Sequence, residues 1–517
     1  MHSALRGIVA LFLLTVAVTG ECRAQGNERI PIDNWSYAAL ERFETLGLCV
    51  LPEDRPLSRH QFASIVGVIT TRATERELAP RDRYQLDRLV REYGNGMALP
   101  EPSQRYDRAW FARDGNLALE ADVDARPYVQ QAPYGEETEV YIASDPELRL
   151  HAGERVTYDL RYRLLFGPED GDRERGHKPS RREKSFRGLT SLYDRSYLVF
   201  SLQSIDLIAG RDYVDWGPSP DGGLIVPGER HSIDQVGARI FFKMFRFDAF
   251  FGQLFPSPER YLVGHRLEGT FGRTVLGFSE TVTYGGRGPD WMYILPFSSY
   301  YANQFSERTN ADNILWALDA KTSLFDRLTV YGSLLIDDFQ YERDDGYPDK
   351  LAYDAGFRFV PARPLGLELR GSYRHVDTYT YSHDDSLSVY VSGAGEVDEG
   401  DVLLGGPPGG DADAWRLDAD VFPRANLRVS LALFGGRTGE GNPIRDFELG
   451  LDDPEPPFPS GVVQKTIGFG VGARWELAGN SWLEAAYAHQ SADNRTNLAG
   501  NDESTDAFRV EIRWDIP

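Results

Sequence analysis

The sequence predicts an all-β, membrane-spanning antiparallel barrel of about eighteen strands, preceded by a small N-terminal helical module. Three observations carry that prediction. Apolar residues alternate with charged or small ones from about Leu117 to the C-terminus, a period of two that gives each strand one apolar and one polar face. The links between these runs are tight on one side and long on the other, the asymmetry of barrels that close across a membrane. With 26 Tyr, 28 Phe and 51 Gly but only 2 Cys in 517 residues, the composition fits an exported β protein that disulfides do not staple.

The elements follow in order. Gly7–Gly20 is an apolar run behind Arg6, too short to span a membrane, and reads as a signal peptide ending after Ala24. Cys49 is then the one thiol left, and Glu21 disfavours Cys22 as a lipid-attachment site. Between residues 30 and 99 the period is helical. Asp33 and Asn34 cap a run through Trp35, Leu40, Phe43 and Leu46; Ser58 and Gln61 have capping-box spacing; Pro80 opens a third run through Leu86, Leu89, Val90 and Tyr93. Residues 100–116 read as a linker and 117–517 as the barrel.

Strand alternation is clearest where Val156, Tyr158, Leu160, Tyr162 and Leu164 alternate with Thr157, Asp159, Arg161 and Arg163. It recurs where Ile467, Phe469, Val471 and Trp475 alternate with Gly468, Gly470, Gly472 and Arg474. A lipid-facing wall around a polar lumen requires this pattern. Arg239, Glu268, Glu280, Asp319, Asp337, Asp338 and Arg358 are accordingly expected to face the lumen, most simply as wall ion pairs. Five segments are long loops: residues 167–195, 216–232, 285–312, 379–413 and 438–464.

Several classes are excluded. A mean hydropathy of −0.42 with no second apolar run rules out a helical bundle, each span of which needs about 20 apolar residues. Seventy-nine acidic against 56 basic residues give a net charge of −23, contrary to a nucleic-acid binder. No metal-ligand spacing, nucleophile elbow or phosphate-binding glycine loop is present, so no catalytic residue, metal or cofactor is expected. His265 and His375 each lie alone on a strand.

Two loop segments combine rings with planar polar groups, the chemistry by which proteins hold sugars. In the first, Arg211 offers a fork for carboxylates and Trp216 a face for a sugar ring; the alternative is a constriction loop folded into the lumen, with Arg211 paired to a wall acid. In the second, Trp291, Tyr293, Tyr300 and Tyr301 would stack, Asn303 and Gln304 would bond hydroxyls, and Arg287 would meet acidic groups. Its alternative is an inward-folded loop whose rings pack on each other.

The run Gly210-Arg, Trp216-Gly-Pro, Tyr284-Gly-Gly-Arg-Gly-Pro, Asn313 to Asp319 and Ile336-Asp-Asp-Phe339 resembles the capsule-assembly Wzi-like family of outer-membrane barrels, over most of residues 118–514. The resemblance implies an eighteen-stranded barrel in the outer membrane of a Gram-negative-type cell, with its helical module in the periplasm. It also implies a non-enzymatic lectin that helps to assemble or retain capsular or exopolysaccharide. The chain departs from the family's pattern in ending Trp514-Asp-Ile-Pro517, and acidic stretches such as 397–401 and 452–455 would repel an anionic polymer unless Arg173, Arg175, Lys178, Arg181, Arg182 and Lys184 meet it first. Trp35, Tyr37, Leu46-Gly-Leu48 and Pro56-Leu-Ser-Arg59 also resemble one S-layer-homology repeat, which adds peptidoglycan as a partner of the module beside membrane lipid. The alternatives are a porin or diffusion channel, and a peptidoglycan-linked structural barrel.

Overall fold

The computed structural model describes residues 27–94, 110–115, 117–133, 138–153, 155–167, 188–295, 297–307, 312–339, 346–362, 366–393, 402–442, 445–477 and 480–515. The expected leader, most of the expected linker, residues 397–401 and the basic cluster from Arg173 to Lys184 lie outside them.

Local sequence sets the three helices. Asn34 caps α1 (Trp35–Thr45) by accepting from the Ser36 amide. Ser58 and Gln61 close the capping box their spacing predicts, at the start of α2 (Arg59–Ala73). Pro80 occupies the first turn of α3 (Pro80–Tyr93), where its missing N–H leaves no bond unmade. Leu40, Phe43, Leu48, Phe62, Ile69 and Leu89 form the core of this module. Phe62 lies at its centre, its ring 4.9 Å from that of Tyr37 and 4.8 Å from that of Tyr93.

The strands close into an 18-stranded antiparallel barrel. The first two are each broken once: β1 runs as Leu117–Asp122 and Asp124–Gln131, and β2 as Glu139–Ser144 and Glu147–Ala152. Next come β3 (Val156–Phe166), β4 (Leu189–Ser201), β5 (Ile205–Asp212), β6 (Ile233–Phe242), β7 (Phe245–Pro256) and β8 (Glu259–Phe271). After them follow β9 (Thr274–Gly285), β10 (Asn313–Phe325), β11 (Leu328–Asp338), β12 (Lys350–Phe359) and β13 (Glu368–Val376). The ring finishes with β14 (Ala412–Arg424), β15 (Leu427–Thr438), β16 (Gln464–Glu476), β17 (Trp482–Asp493) and β18 (Glu503–Asp515). Strand β18 pairs with β1 and seals the sheet.

Two boundaries differ from expectation. Trp110–Asp114, within the expected linker, is a strand that turns back through Gly115 onto Leu117–Asp122, taking the edge that β18 leaves past Asp515. Strand β4 begins at Leu189, inside a segment expected to be loop.

The two faces separate as the alternation requires. Ile467, Phe469, Val471 and Trp475 are exposed on the outer face, while Glu476 turns inward to Arg81 and Arg88 of α3 at 3.0 and 2.6 Å. Arg239 pairs with Asp248 and Asp54, Asp319 with Arg266 beside Glu268, and Arg358 with Glu368, all inside the barrel. Glu280 is the exception and corrects the lumen assignment. It lies opposite Trp316 and His265 on the outer face, in line with Phe278 and Val282.

A ring this wide encloses an aqueous channel unless something fills it. The helical module fills the short-turn mouth and is tied to the wall around the circumference. Arg42 meets Glu368 at 3.0 Å, Lys321 meets Glu44 at 2.7 Å, Arg195 donates to the Arg29 carbonyl at 2.8 Å, and the Arg327 amide donates to the Thr45 carbonyl at 2.6 Å. Burial would raise the Glu41 carboxyl, but Arg358 and Arg55 outweigh it and hold the group at about 2. A carboxylate depressed in the folded state contributes stability above its unfolded value, about 4.3, and loses it as the pH falls toward the folded one. Docking of the module is therefore expected to weaken as the pH drops from about 4 to about 2. Limited acid proteolysis measures this, and cleavage after Arg or Phe within α1 to α3 that stays constant across the window would count against Glu41.

Candidate functional site

Two long loops enter the barrel from the long-loop mouth and meet in an apolar plug. Trp216, Leu224, Ile225 and Val226 from residues 213–232, and Tyr381, Tyr390 and Leu404 from residues 377–411, pack against Phe250, Leu262, Leu315, Leu335 and Val376 of the wall. The second loop is pinned by Arg260, fully buried, which donates to the carbonyls of Leu387, Val389, Val391 and Gly393 at 2.5–3.0 Å. Tyr381 and Tyr390 donate to the carbonyls of Leu224 and Ile225 at 2.7 and 2.5 Å, joining loop to loop. Below them Asp215 and Trp216 form a two-rung antiparallel ladder with Arg55 and Asp54 of the helical module. The two fillings, entering from opposite mouths, thus touch inside the barrel.

Beside this plug a polar cavity of about 1200 Å³ remains, between α1, α3, residues 219–222 and strands β13 to β18 and β1 to β3. Arg428, Arg474, Arg509 and Arg513 line it with Glu476 and Glu511.

The predicted site residues fall in three places. Trp216 is 1% exposed, with its ring 5.4 Å from that of Phe250, so as folded its faces meet protein. Arg211 lies at the long-loop end of β5, paired bidentately with the wall acid Asp234 at 2.6 and 2.7 Å, but on the outer face and not in the lumen, where the alternative reading put it. The other seven share the 286–312 loop, which forms α4 (Trp291–Ile294) and α5 (Tyr300–Glu307). Asp312, which the sequence did not single out, organises it. Arg287 pairs with that carboxylate at 2.8 and 2.5 Å, Tyr293 donates to it at 2.7 Å, and Gln304 donates to its carbonyl at 2.9 Å. Asn303 donates to the Ser298 hydroxyl and the Met292 carbonyl, and Tyr300 is buried between Tyr293 and His265. Trp291 and Tyr301 keep exposed rings, at 79% and 41%.

The structure assembles a second group of rings that sequence reasoning missed. At the long-loop mouth the Phe447 ring lies 5.7 Å from Tyr347 and 5.4 Å from Tyr379. Asp446 beside it accepts from Lys350 at 2.6 Å and from the Ser382 hydroxyl at 2.8 Å. Burial opposes the Asp446 charge, but Lys350 and these donors hold its carboxyl below the usual range. Tyr347 is 47% exposed. Rings, a hydroxyl and charged groups converge here from three loops far apart in sequence, and no local spacing encodes that. Asp411 ties the same loops, accepting from Thr378, Gly441 and Ser460 at 2.5–3.0 Å.

The residues that resemble an S-layer-homology repeat are engaged within the protein. Arg88 covers Trp35 at 3.9 Å, and the Tyr37 hydroxyl donates to the Ile30 carbonyl.

No family model and no curated protein sequence matches this chain. Among solved structures it is similar to Wzi, an outer-membrane protein of Escherichia coli involved in group 1 capsule assembly and described as a carbohydrate-binding β-barrel. Identity is 13% and the TM-score 0.59, over 96% of this chain and 99% of that one. A BenF-like porin from Pseudomonas fluorescens Pf-5 matches over 77% of this chain and 98% of its own, at 10% identity and a TM-score of 0.44. OccK2 of Pseudomonas aeruginosa, solved with glucuronate, matches over 77% of this chain and 97% of its own, at 12% identity and a TM-score of 0.43. The likeness to Wzi shows a Wzi-like barrel fold.

Proposed function

We propose that this chain binds extracellular polysaccharide, capsular or exopolysaccharide, and retains it at the cell surface without catalysis. In this reading the long-loop mouth faces outward and the helical module lies in the periplasm. The observation that carries it is the filling of the lumen from both mouths, by the module and by the Trp216–Tyr381–Tyr390 plug, which favours a surface that holds ligand over a pore that passes it. The fold's likeness to a barrel described as carbohydrate-binding supplies the ligand class. Tyr347 and Tyr379 at the mouth would stack on sugar rings, each contact weak, with many repeats of one polymer keeping it attached.

Binding of host polysaccharide to the detergent-purified protein tests this. Tyr347→Ala with Tyr379→Ala removes two stacking contacts of about 0.5–1.5 kcal/mol each, so binding should weaken roughly 5- to 100-fold. Trp291→Ala with Tyr301→Ala should leave it near wild type. Absence of binding by the folded wild-type protein would sink the reading.

The diffusion channel is the second reading, and the polar cavity of about 1200 Å³ is what favours it. Single-channel recording separates the two, since a steady open conductance in the wild type would support the channel.

A further inference from the structure

The 286–312 loop does not stand above the barrel but lies down its outer wall. The residues it packs on show this. Glu280 of β9 is on the outer face, and its carboxylate receives the Tyr300 amide at 3.1 Å, the Tyr301 amide at 3.0 Å and the Ser299 hydroxyl at 3.4 Å. Trp316 of β10 donates its indole N–H to the same carboxylate at 3.0 Å, and His265 Nε2 of β8 lies 3.1 Å from it. Tyr300 stands 4.5 Å from the His265 ring, Tyr301 5.1 Å from Trp316, and Phe297 lies nearly parallel to Phe247 of β7 at 4.7 Å. Four neighbouring strands, β7 to β10, therefore carry the loop on the side that alternation assigns to lipid.

The loop's far side is apolar and exposed. Trp291 is 79% exposed, Met292 39%, Leu295 58% and Phe297 76%. The segment Trp291–Ser306 holds no Asp, Glu, Lys or Arg, in a chain 26% charged. Charge resumes only at its ends, with Arg287 and Asp290 before it and Glu307 after it. The exposed residues continue the wall's own apolar band, in which Leu267, Phe278 and Leu318 are 48%, 38% and 49% exposed. Phe247 is the third residue of β7, counted from the short-turn end, so Phe297 reaches on the order of 20–25 Å below the long-loop rim once strand tilt is allowed for. At that depth the surroundings are hydrocarbon.

We infer that residues 291–306 are a membrane-embedded flap whose outer face is solvated by lipid acyl chains. The flap answers two needs with one segment. It supplies amide and hydroxyl donors to Glu280, beside the Trp316 indole of the wall, so that this carboxylate does not face hydrocarbon without partners. It then presents to lipid an uncharged surface in place of that carboxylate. The Tyr and Trp content that suits a sugar site suits this location equally, since both rings combine an apolar body with a polar edge.

Site-directed spin labelling of the full chain in lipid bilayers tests the assignment. Phe297→Cys is labelled in a background with Cys22 and Cys49 replaced by Ser, beside Leu318→Cys on the wall and Leu451→Cys on a 74%-exposed loop residue. Label at 297 should favour lipid-soluble oxygen over a water-soluble nickel complex, as at 318, and the ratio should invert at 451. A label at 297 that behaves like 451 overturns the proposal. So does one shielded from both relaxants, which would mean that a second protein surface covers the flap. Retention of heat-modifiable migration on gels confirms that each variant is folded. Glu280→Gln, which keeps the shape but weakens the acceptor, should shift the 297 label toward the aqueous value, and no shift would deny Glu280 its role as anchor.

Discussion

Phe62→Ala is expected to unfold the helical module while the eighteen-stranded ring stays closed. Phe62 is fully buried between Tyr37 and Tyr93, and removing a core phenylalanine costs about 3–5 kcal/mol through lost transfer energy and the cavity left behind. The module's own core is small, so a loss of that size is a large fraction of what holds it together. Its seat in the mouth depends on ion pairs such as Arg42–Glu368 and Lys321–Glu44, which need α1 to be folded. The variant should keep heat-modifiable migration, become cleavable between residues 35 and 93, and show a conductance above that of the wild type. A variant that resists protease as the wild type does would mean that docking, not the core, holds the module.

Arg260→Ala is expected to release the 377–411 loop from the lumen. One guanidinium satisfies four buried carbonyls in that loop, and leaving such groups unpaired costs about 3–5 kcal/mol when a buried charged partner is removed. Hydrogen exchange should therefore accelerate for amides from Tyr381 to Gly393, including the Tyr390 amide that bonds the Tyr381 carbonyl, while amides of β8 and β9 stay protected. Arg260→Lys should behave almost as the alanine variant does, because an ammonium cannot reach carbonyls spread across the guanidinium fork. Exchange unchanged in both variants would show that Tyr381 and Tyr390 suffice to hold the plug.

Sequence alone showed the barrel because each strand solves the same local problem. An apolar face at every second residue is needed wherever lipid is, and runs such as Ile467–Trp475 carry it with nothing from elsewhere in the chain. The helix starts were legible for the same reason, Ser58 with Gln61 being a contact three residues long. The lumen assignment failed at Glu280, where β9 reads Ser-Glu-Thr-Val-Thr and polar residues occupy both faces, so the period gives no phase. The candidate site was less legible still. Asp312 and Asp446 look like any loop acids until Arg287, Tyr293 and Lys350 converge on them. The mouth cluster joins Tyr347 to Phe447 across a hundred residues, a relation set by which loops the ring makes neighbours.

The ladder that joins Asp54 and Arg55 to Asp215 and Trp216 gives the molecule a mechanical axis. Tension applied to the loops at one mouth, as by a long polymer dragged through surrounding fluid, runs along residues 213–216 and arrives at a segment rooted in the opposite mouth. The two short strands lie antiparallel, so pulling their ends apart loads both rungs together in shear. The load then returns to the wall around its circumference, shared among the Arg239, Lys321 and Arg195 anchors that hold the module in place.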